Sequence, residues 1–242
     1  MRKHQGKGIV LSRTFFGESD MYVQFLTKDW GVISALARAA RKSRRRYVGG
    51  LDLFCHDELL LRGDPRERPY LIELSVLNSF EGLRNHLDRM LAAGKITQWV
   101  RKLVLTATPM PRLYSLLGQT LALIEQEEDP ERVETLSLVF RMKLLAQLGL
   151  MPQLLSCVRC ESIVQFPAVF DVAAGGASCQ ACQKPTEENY SLQKEDQVLM
   201  EHAERTRFAA WEETQLPTRR LRPVLSLITQ FASFHGHTRL PL

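Results

Sequence analysis

Cys157-Val-Arg-Cys160, eighteen intervening residues, then Cys179-Gln-Ala-Cys182: around this stretch the rest of the chain can be read. Two Cys-x-x-Cys pairs at that separation match a zinc-site pattern, because each pair turns back and offers two thiolates to one side of a tetrahedron. Four soft ligands close the coordination shell. A metal held this way keeps no position for water or substrate, so it holds structure and does no chemistry. Between the pairs, Phe166-Pro-Ala-Val-Phe170 reads as a short strand and Ala173-Ala-Gly-Gly-Ala177 as the tight turn that returns the second pair to the first. Two disulfides or four unconnected buried cysteines are the alternative readings. The polar start Met1-Arg-Lys-His-Gln-Gly, with no apolar run behind it, does not read as a signal peptide. The expectation is therefore a cytoplasmic chain with reduced thiols, which favours one structural Zn2+. A module of this size buries little apolar surface, so metal binding, worth ~10–16 kcal/mol in small zinc domains, would supply much of its folding energy.

At 242 residues and 45% hydrophobic content the chain is long enough for one large or two small domains with real cores. No run approaches the apolar length needed to span a membrane. The net charge of +5 is unevenly placed. Residues 1–50 hold eleven Lys or Arg against three Asp or Glu, a net of +8, and the remainder carries −3. That asymmetry points the first part of the chain at a polyanion.

Five runs of strand-like composition fit the first eighty residues: Gly8–Thr14, Met21–Leu26, Gly31–Leu36, Leu51–His56 continuing to Leu61, and Tyr70–Leu77. Turn residues separate them, among them Gly17 with Asp20, Lys28-Asp29, Gly49-Gly50 and Gly63-Asp64-Pro65. Five short strands in this length predict a small closed barrel, either an OB-fold or an SH3-like barrel. Between the third and fourth runs lies Arg38-Ala-Ala-Arg-Lys-Ser-Arg-Arg-Arg46, six basic residues in nine with no acid. Mutual repulsion predicts an extended, mobile loop unless phosphates occupy it. Phe15, Phe16, Tyr22, Phe25, Trp30 and Tyr47 lie nearby in sequence. Guanidinium groups beside stacking rings are a means of holding single strands without reading sequence. Taken singly, each ring reads as core.

From Asn78 the period becomes helical. Asn78 reads as a cap with Glu81 in the third position, and Leu83, Leu87, Met90, Ile96, Val100 and Leu103 follow at helical spacing. Leu113 to Ile124 form a second stripe. Asp129-Pro130-Glu131 opens a third helix with Leu136, Val139, Phe140, Leu144 and Leu148 inward and Gly149 at its end. Arg141 and Lys143 sit beside that face, solvated or rimming a groove for an acidic, hydrophobic peptide. Gln193–Trp211 reads as an amphipathic helix with Val198, Leu199, His202 and Phe208 inward, and a final helix carries Val224, Leu227, Phe231 and Phe234. Both are expected to dock on the earlier helices. Arg219, Arg220 and Arg222 at the start of the last helix form a second candidate DNA contact, since a helix N-terminus favours anions.

No catalytic constellation emerges, and the chain is expected not to be an enzyme. Gly94-Lys95 is followed by Ile96 and preceded by Arg89 where a phosphate loop needs glycine. His56-Asp57-Glu58 with Cys157 and Cys160 is a poor match to a zinc deaminase, because Ser156 replaces the signature proline and the second cysteine pair already fills the shell. His4, His86, His202, His235 and His237 show no metal spacing, and Cys55 reads as a buried strand residue.

The order of several pieces resembles the RecO family of bacterial recombination mediators: Gly8-Ile-Val-Leu11, Gly17-Glu-Ser-Asp20, Leu26-Thr27 through Gly31, Ala37-Arg-Ala-Ala-Arg-Lys42, Leu51–Phe54, Phe80 with Leu83-Arg84, and Leu144 with Leu148-Gly149-Leu150 running into the cysteines. The resemblance implies an α+β multidomain chain. Residues 1–80 would be a five-stranded OB-fold, 81–150 the first part of a helical domain, 151–190 an inserted four-cysteine zinc module, and 191–242 helices packing back. It implies binding of single- and double-stranded DNA and annealing without ATP. It also implies partnership with RecR and with the C-terminal tail of single-stranded-DNA-binding protein, to load RecA, in the bacterial cytoplasm at the nucleoid. The family's loop maps onto Arg38, Arg41 and Lys42, with Arg44, Arg45 and Arg46 extending it. The zinc ligands map onto Cys157, Cys160, Cys179 and Cys182. The tail groove has no matching motif, leaving Arg141 and Lys143 as its candidates. Ala39 stands where the family usually has glycine, which questions the local turn. A zinc-containing RNA-binding or ribosome-associated factor is the alternative function.

Overall fold

Alternating apolar and polar residues carry the first part of the chain into strands in a computed structural model, which describes residues 2–43, 45–105, 107–183 and 190–242. The strands are β1 (Lys3–Phe16), β2 (Asp20–Thr27), β3 (Gly31–Ala37), β4 (His56–Arg62) and β5 (Tyr70–Asn78). They close into a barrel in the order β1-β2-β3-β5-β4. That Greek-key order, with β3 parallel to β5 and every other pair antiparallel, is the OB-fold and not the SH3-like alternative. β1 serves two neighbours. Its first half, Lys3–Ile9, pairs with β4, and Gly8–Phe16 pairs with β2 across a bulge between Val10 and Ser12 that bends the strand around the corner. The interior is filled by Val10, Val23, Phe25, Ile33, Leu59, Leu61 and Leu71. The fourth strand starts at His56, later than its composition suggests. Residues 51–54 form turns and bends, with Phe54 at φ +75°.

The helices divide into two groups. Contacts cluster the chain into units 1–127 and 128–242, so α1 (Glu81–Asn85), α2 (Leu87–Leu103) and α3 (Pro111–Gln126) belong with the barrel. α2 packs on β1, and α3 on β1 and β2. Ile96, Trp99 and Val100 of α2 and Leu113, Leu117, Leu121 and Ile124 of α3 are buried. Leu87, Met90 and Leu91, by contrast, are exposed. His86 adopts an extended conformation between α1 and α2 and breaks the stripe that the sequence pattern ran straight through. Phe80, at φ +45°, stands at the start of α1, while Asn78 accepts the Phe80 amide proton on Oδ1 at 2.9 Å.

In the second unit, α4 (Pro130–Leu148) is buried on almost every side, as befits the helix that the others pack on. The Glu131 amide donates to Asp129 Oδ1 at 2.9 Å, and Gly149 ends the helix at φ +70°. α5 (Lys194–Arg205) and α6 (Leu221–His235) pack on α4 and on each other. On α5 the buried face is Asp196, Gln197, Leu199, Met200 and Ala203, and His202 is exposed. The sequence pattern misplaced this face because two of its members are polar. Asp196 is fully buried and accepts from Arg220 Nε at 2.8 Å, from Tyr190 Oη at 3.2 Å and from its own cap amide, Gln193, at 2.9 Å. Phe234 lies exposed near the end of α6. No helix among the described residues is long and apolar enough to cross a membrane.

Asp57, in β4, is fully buried and neither carboxyl oxygen has a hydrogen-bond partner. Burial pushes its carboxyl up to about 8. The folded state therefore binds the proton more tightly than the unfolded chain, whose aspartate titrates near ~3.9. Stability from this group is complete below pH ~4 and is lost as pH rises towards about 8, at no more than ~1.4 kcal/mol per pH unit. Melting temperatures between pH ~5 and ~8.5 should fall more steeply for the native chain than for Asp57→Asn; parallel curves would place the carboxyl in a solvated or paired state.

Candidate nucleic-acid interface and metal centre

Repulsion predicts an extended loop at Arg38–Arg46, yet the described residues of this loop are folded. The Lys42 amide donates to Ala39 O at 3.1 Å, and the Arg46 amide donates to Ser43 Oγ at 3.2 Å. The loop is also tied to the tip of the β1–β2 hairpin. The Ala39 amide donates to Asp20 Oδ1 at 2.8 Å, the Arg41 amide to Ser19 O at 3.1 Å and the Arg41 guanidinium to Glu18 O at 3.3 Å. Neutral backbone carbonyls and one carboxylate thus offset the repulsion locally, and the loop is not a free arm. Arg38, Arg41, Lys42, Arg45 and Arg46 remain exposed. Arg44 lies outside the described residues.

Barrel closure adds groups that composition does not single out. Register sets Arg62 opposite Tyr70, and the parallel pair sets Leu36 beside Tyr70. The Tyr70 ring consequently sits under two guanidinium groups, Arg38 at 4.6 Å and Arg62 at 5.8 Å, and Arg38 also donates to its hydroxyl at 3.3 Å. Arg46 donates to Arg38 O at 2.8 Å. The β4–β5 loop contributes exposed Arg66 and Arg68. The basic surface therefore runs from the β1–β2 tip across the loop to the β4–β5 connection. The connections after the first and fourth strands are those that bind oligonucleotides in OB-folds. Arg62, Arg66, Arg68 and Tyr70 were missed because Asp64 and Glu67 dilute the charge of their segment in sequence.

The aromatic rings sort cleanly. Phe25 and Tyr47 are buried, with the Tyr47 hydroxyl donating to Leu71 O at 2.8 Å. Trp30 packs over Gly6, where an added Cβ would lie 2.5 Å from the indole. Tyr22 is half-buried. Only Phe15 and Phe16 of these six are exposed.

In the second unit, the two cysteine knuckles face each other. The Glu161 amide closes the first on Cys157 O at 2.9 Å, and the Gln183 amide closes the second on Cys179 O at 3.0 Å. Between them the expected strand forms as β6 (Ala168–Asp171), starting two residues late; the expected turn ends early, because Gly176 and Ala177 belong to a second strand, β7 (Gly176–Ser178), and β8 (Tyr190–Leu192) completes the sheet on the other side of β6. At Gly176, the first residue of β7, a Cβ would lie 2.2 Å from Gln153 O, so only glycine fits that position. Arg159 pairs with Asp171 at 2.5 Å, tying the first knuckle to the sheet. Phe170 meets Phe231 of α6 edge-on at 6.0 Å, so the module is seated on the helices.

The four Sγ atoms lie within 4.8 Å of one another, and those of Cys160 and Cys179 are 3.7 Å apart. Sulfurs ~2.3 Å from a tetrahedral centre are separated by ~3.8 Å, so the donor set fits a tetrahedral metal. All four cysteines are free thiols, which removes the disulfide reading. Burial opposes ionisation of Cys157, but amide donors from Cys179, Cys160 and Arg159 outweigh it and bring the thiol down to about 6. Cys182 is pushed up to about 12 because its proton is shared with Cys160 and Cys179. A divalent cation would take the place of those shared protons.

The remaining candidates fare differently. Arg141 is buried, not solvated, and donates to Thr229 Oγ1 of α6 at 3.0 Å. Lys143 donates to Glu204 O at 2.6 Å beside Phe208. Both are tied into the packing of the helices. Arg220 is committed to Asp196 and Tyr190, leaving Arg219 and Arg222 exposed, the latter 3.8 Å from Glu134.

Comparison with known proteins places the whole chain, although its division falls near residue 82 and not at the boundary between the two units. The family model "Recombination protein O N terminal" matches residues 1–80, and "Recombination protein O C terminal" matches residues 84–241. The chain belongs to the RecO family. DNA repair protein RecO of Syntrophus aciditrophicus is 35% identical over 182 residues, covering 74% of this chain and 69% of that relative. The protein of the same name from Anaeromyxobacter dehalogenans strain 2CP-C is 38% identical over 181 residues, covering 72% and 68%. That from Halalkalibacterium halodurans is 27% identical over 189 residues, covering 78% and 72%.

Two measurements check this geometry. Ala39 adopts φ +50°, the left-handed region, where a side chain costs roughly 1 kcal/mol and glycine does not. Ala39→Gly should therefore raise the melting temperature by roughly 1–3 °C despite its freer unfolded chain; a drop would mean that the turn is not left-handed. Cys160→Ser should cost on the order of 3 kcal/mol of metal affinity, about a quarter of a four-thiolate site's total. Elemental analysis after dialysis against a chelator reads this out, and binding should weaken as pH falls because the ligands must be deprotonated.

Proposed function

We propose that this RecO-family chain is a non-enzymatic mediator of DNA repair and recombination, binding single- and double-stranded DNA and annealing complementary strands without ATP. The observation that carries the reading is the continuous basic surface at one rim of the OB barrel, where Arg38, Arg41, Lys42, Arg45 and Arg46 are joined by Arg62, Arg66 and Arg68. The mechanism is charge neutralisation. Cations on the folded loop cover phosphates of two strands, release condensed counterions and lower strand repulsion, so complementary bases meet with no covalent step. The loop's bonds to Glu18, Ser19 and Asp20 hold these cations in place before DNA arrives. The residues that would hold a metal are Cys157, Cys160, Cys179 and Cys182, and the all-thiolate set suits Zn2+ in a structural role. The family resemblance supports cooperation with RecR and with the tail of single-stranded-DNA-binding protein in loading RecA, in the bacterial cytoplasm.

Annealing of two complementary oligonucleotides without ATP tests the reading. The native chain should accelerate it, and a variant with Arg41, Lys42 and Arg45 changed to Ala should lose most of the effect while retaining its melting temperature. Single-strand affinity should fall with a log-log salt slope of roughly −0.7 per phosphate contact, shallower by about that amount for each cation removed. Affinity independent of salt would exclude charge neutralisation, and preference for structured RNA over DNA would favour a ribosome-associated role.

A further inference from the structure

The tip of the β1–β2 hairpin carries a feature that phosphate binding leaves unused. Among the described residues, Phe15, Phe16 and Phe234 are the exposed phenylalanines, and two of the three are neighbours at this one tip, at 63% and 52% exposure. Successive strand residues point to opposite faces, so the rings project from both sides of the ribbon. On one side Phe16 meets Tyr22 edge-on at 5.1 Å. On the other, Phe15 lies under the Arg41 guanidinium at 5.2 Å. The three-residue turn Gly17-Glu18-Ser19 is held from behind by the basic loop, through the bonds from the Arg41 amide to Ser19 O and from its guanidinium to Glu18 O. The rings are thus positioned, unburied and next to cations that suit phosphate.

We propose that Phe15 and Phe16 form a base-stacking wedge that makes this surface prefer single-stranded over duplex DNA. The proposal rests on the DNA-binding reading above. A phosphate-binding surface alone treats single strands and duplexes by charge, whereas a flat ring gains only from bases whose faces are open. Unpaired bases offer those faces to Phe15 and Phe16; bases in a duplex are already stacked. Arg41 joins the two functions, its guanidinium over Phe15 and its charge towards the backbone. An unpaired base held at the wedge is also kept apart from its neighbours in the strand, ready for a complementary partner.

The experiment measures binding to three probes of equal length: a single-stranded oligonucleotide, the same backbone with most bases replaced by abasic sites, and a duplex. The proteins compared are the native chain, Phe15→Ala, Phe16→Ala and the double variant, each checked for an unchanged thermal transition. Phe16→Leu and Phe15→Leu serve as second variants, keeping apolar bulk without the aromatic face. The native chain should bind the base-containing strand more tightly than the abasic one. Each alanine or leucine change should reduce that preference by on the order of 5- to 150-fold for each ring that holds a base. The double variant should bind both single-stranded probes alike, with an unaltered salt slope. The proposal is overturned if the native chain binds base-containing and abasic strands equally. It is also overturned if the leucine variants keep the full preference, which would mean that apolar bulk and not an aromatic face meets the bases. If the native chain binds none of the probes, the DNA reading itself fails, and that result is distinct from equal binding.

Discussion

Closure of the barrel through a two-residue parallel contact, Leu36 with Tyr70 and Ala37 with Leu71, is the constraint on which the basic surface depends. β3 and β5 are far apart in sequence and meet nowhere else in the sheet. Their contact joins the end of β3, where the basic loop begins, to the start of β5, where the β4–β5 connection ends. It brings Arg38 onto the Tyr70 ring, which Arg62 also approaches. Without closure, the cations would belong to two separate loops. With it they form one surface, and Tyr70 is the aromatic floor that keeps two like charges close without a carboxylate between them.

The second unit is organised by a different interaction. Asp196 is fully buried and is satisfied by Arg220, Tyr190 and the Gln193 amide together. A buried carboxylate is tolerated only when paired and hydrogen-bonded, so these groups must stay assembled. They hold α5, the start of α6 and the last strand of the cysteine module together. The module's own hairpin then reaches α6 through Phe170 and Phe231. The cysteine cluster is consequently seated on helices, and its four thiols lie close enough together to hold a metal ion.

Much of this was legible in advance because the signals are local. Strand composition with turn residues placed five strands, although the fourth begins several residues late, since the turns at 51–54 are as apolar as a strand. Asp129, Pro130 and Gly149 marked the ends of α4 by cap, N1 proline and left-handed glycine. Where pattern reading failed, a polar residue was buried or a helix was broken. Arg141 lies inside, between α4 and α6, although its charge placed it outside. Asp196 and Gln197 shifted the inner face of α5, and the extended His86 threw Leu87 and Met90 out of the core.

Residue type and spacing over short stretches were enough to specify the five strands, the four thiolates and the concentration of positive charge before residue 50. Only the folded arrangement established that the barrel is an OB-fold, that the basic loop is folded against Glu18, Ser19 and Asp20, and that Arg62 and Tyr70 complete its surface. It also established which arginines are exposed and which, like Arg141 and Arg220, are bound into the packing of helices. These outcomes depend on which distant segments meet, and the free energy of those meetings lies in burial, register and hydrogen-bond satisfaction, none of which has a signature in adjacent residues.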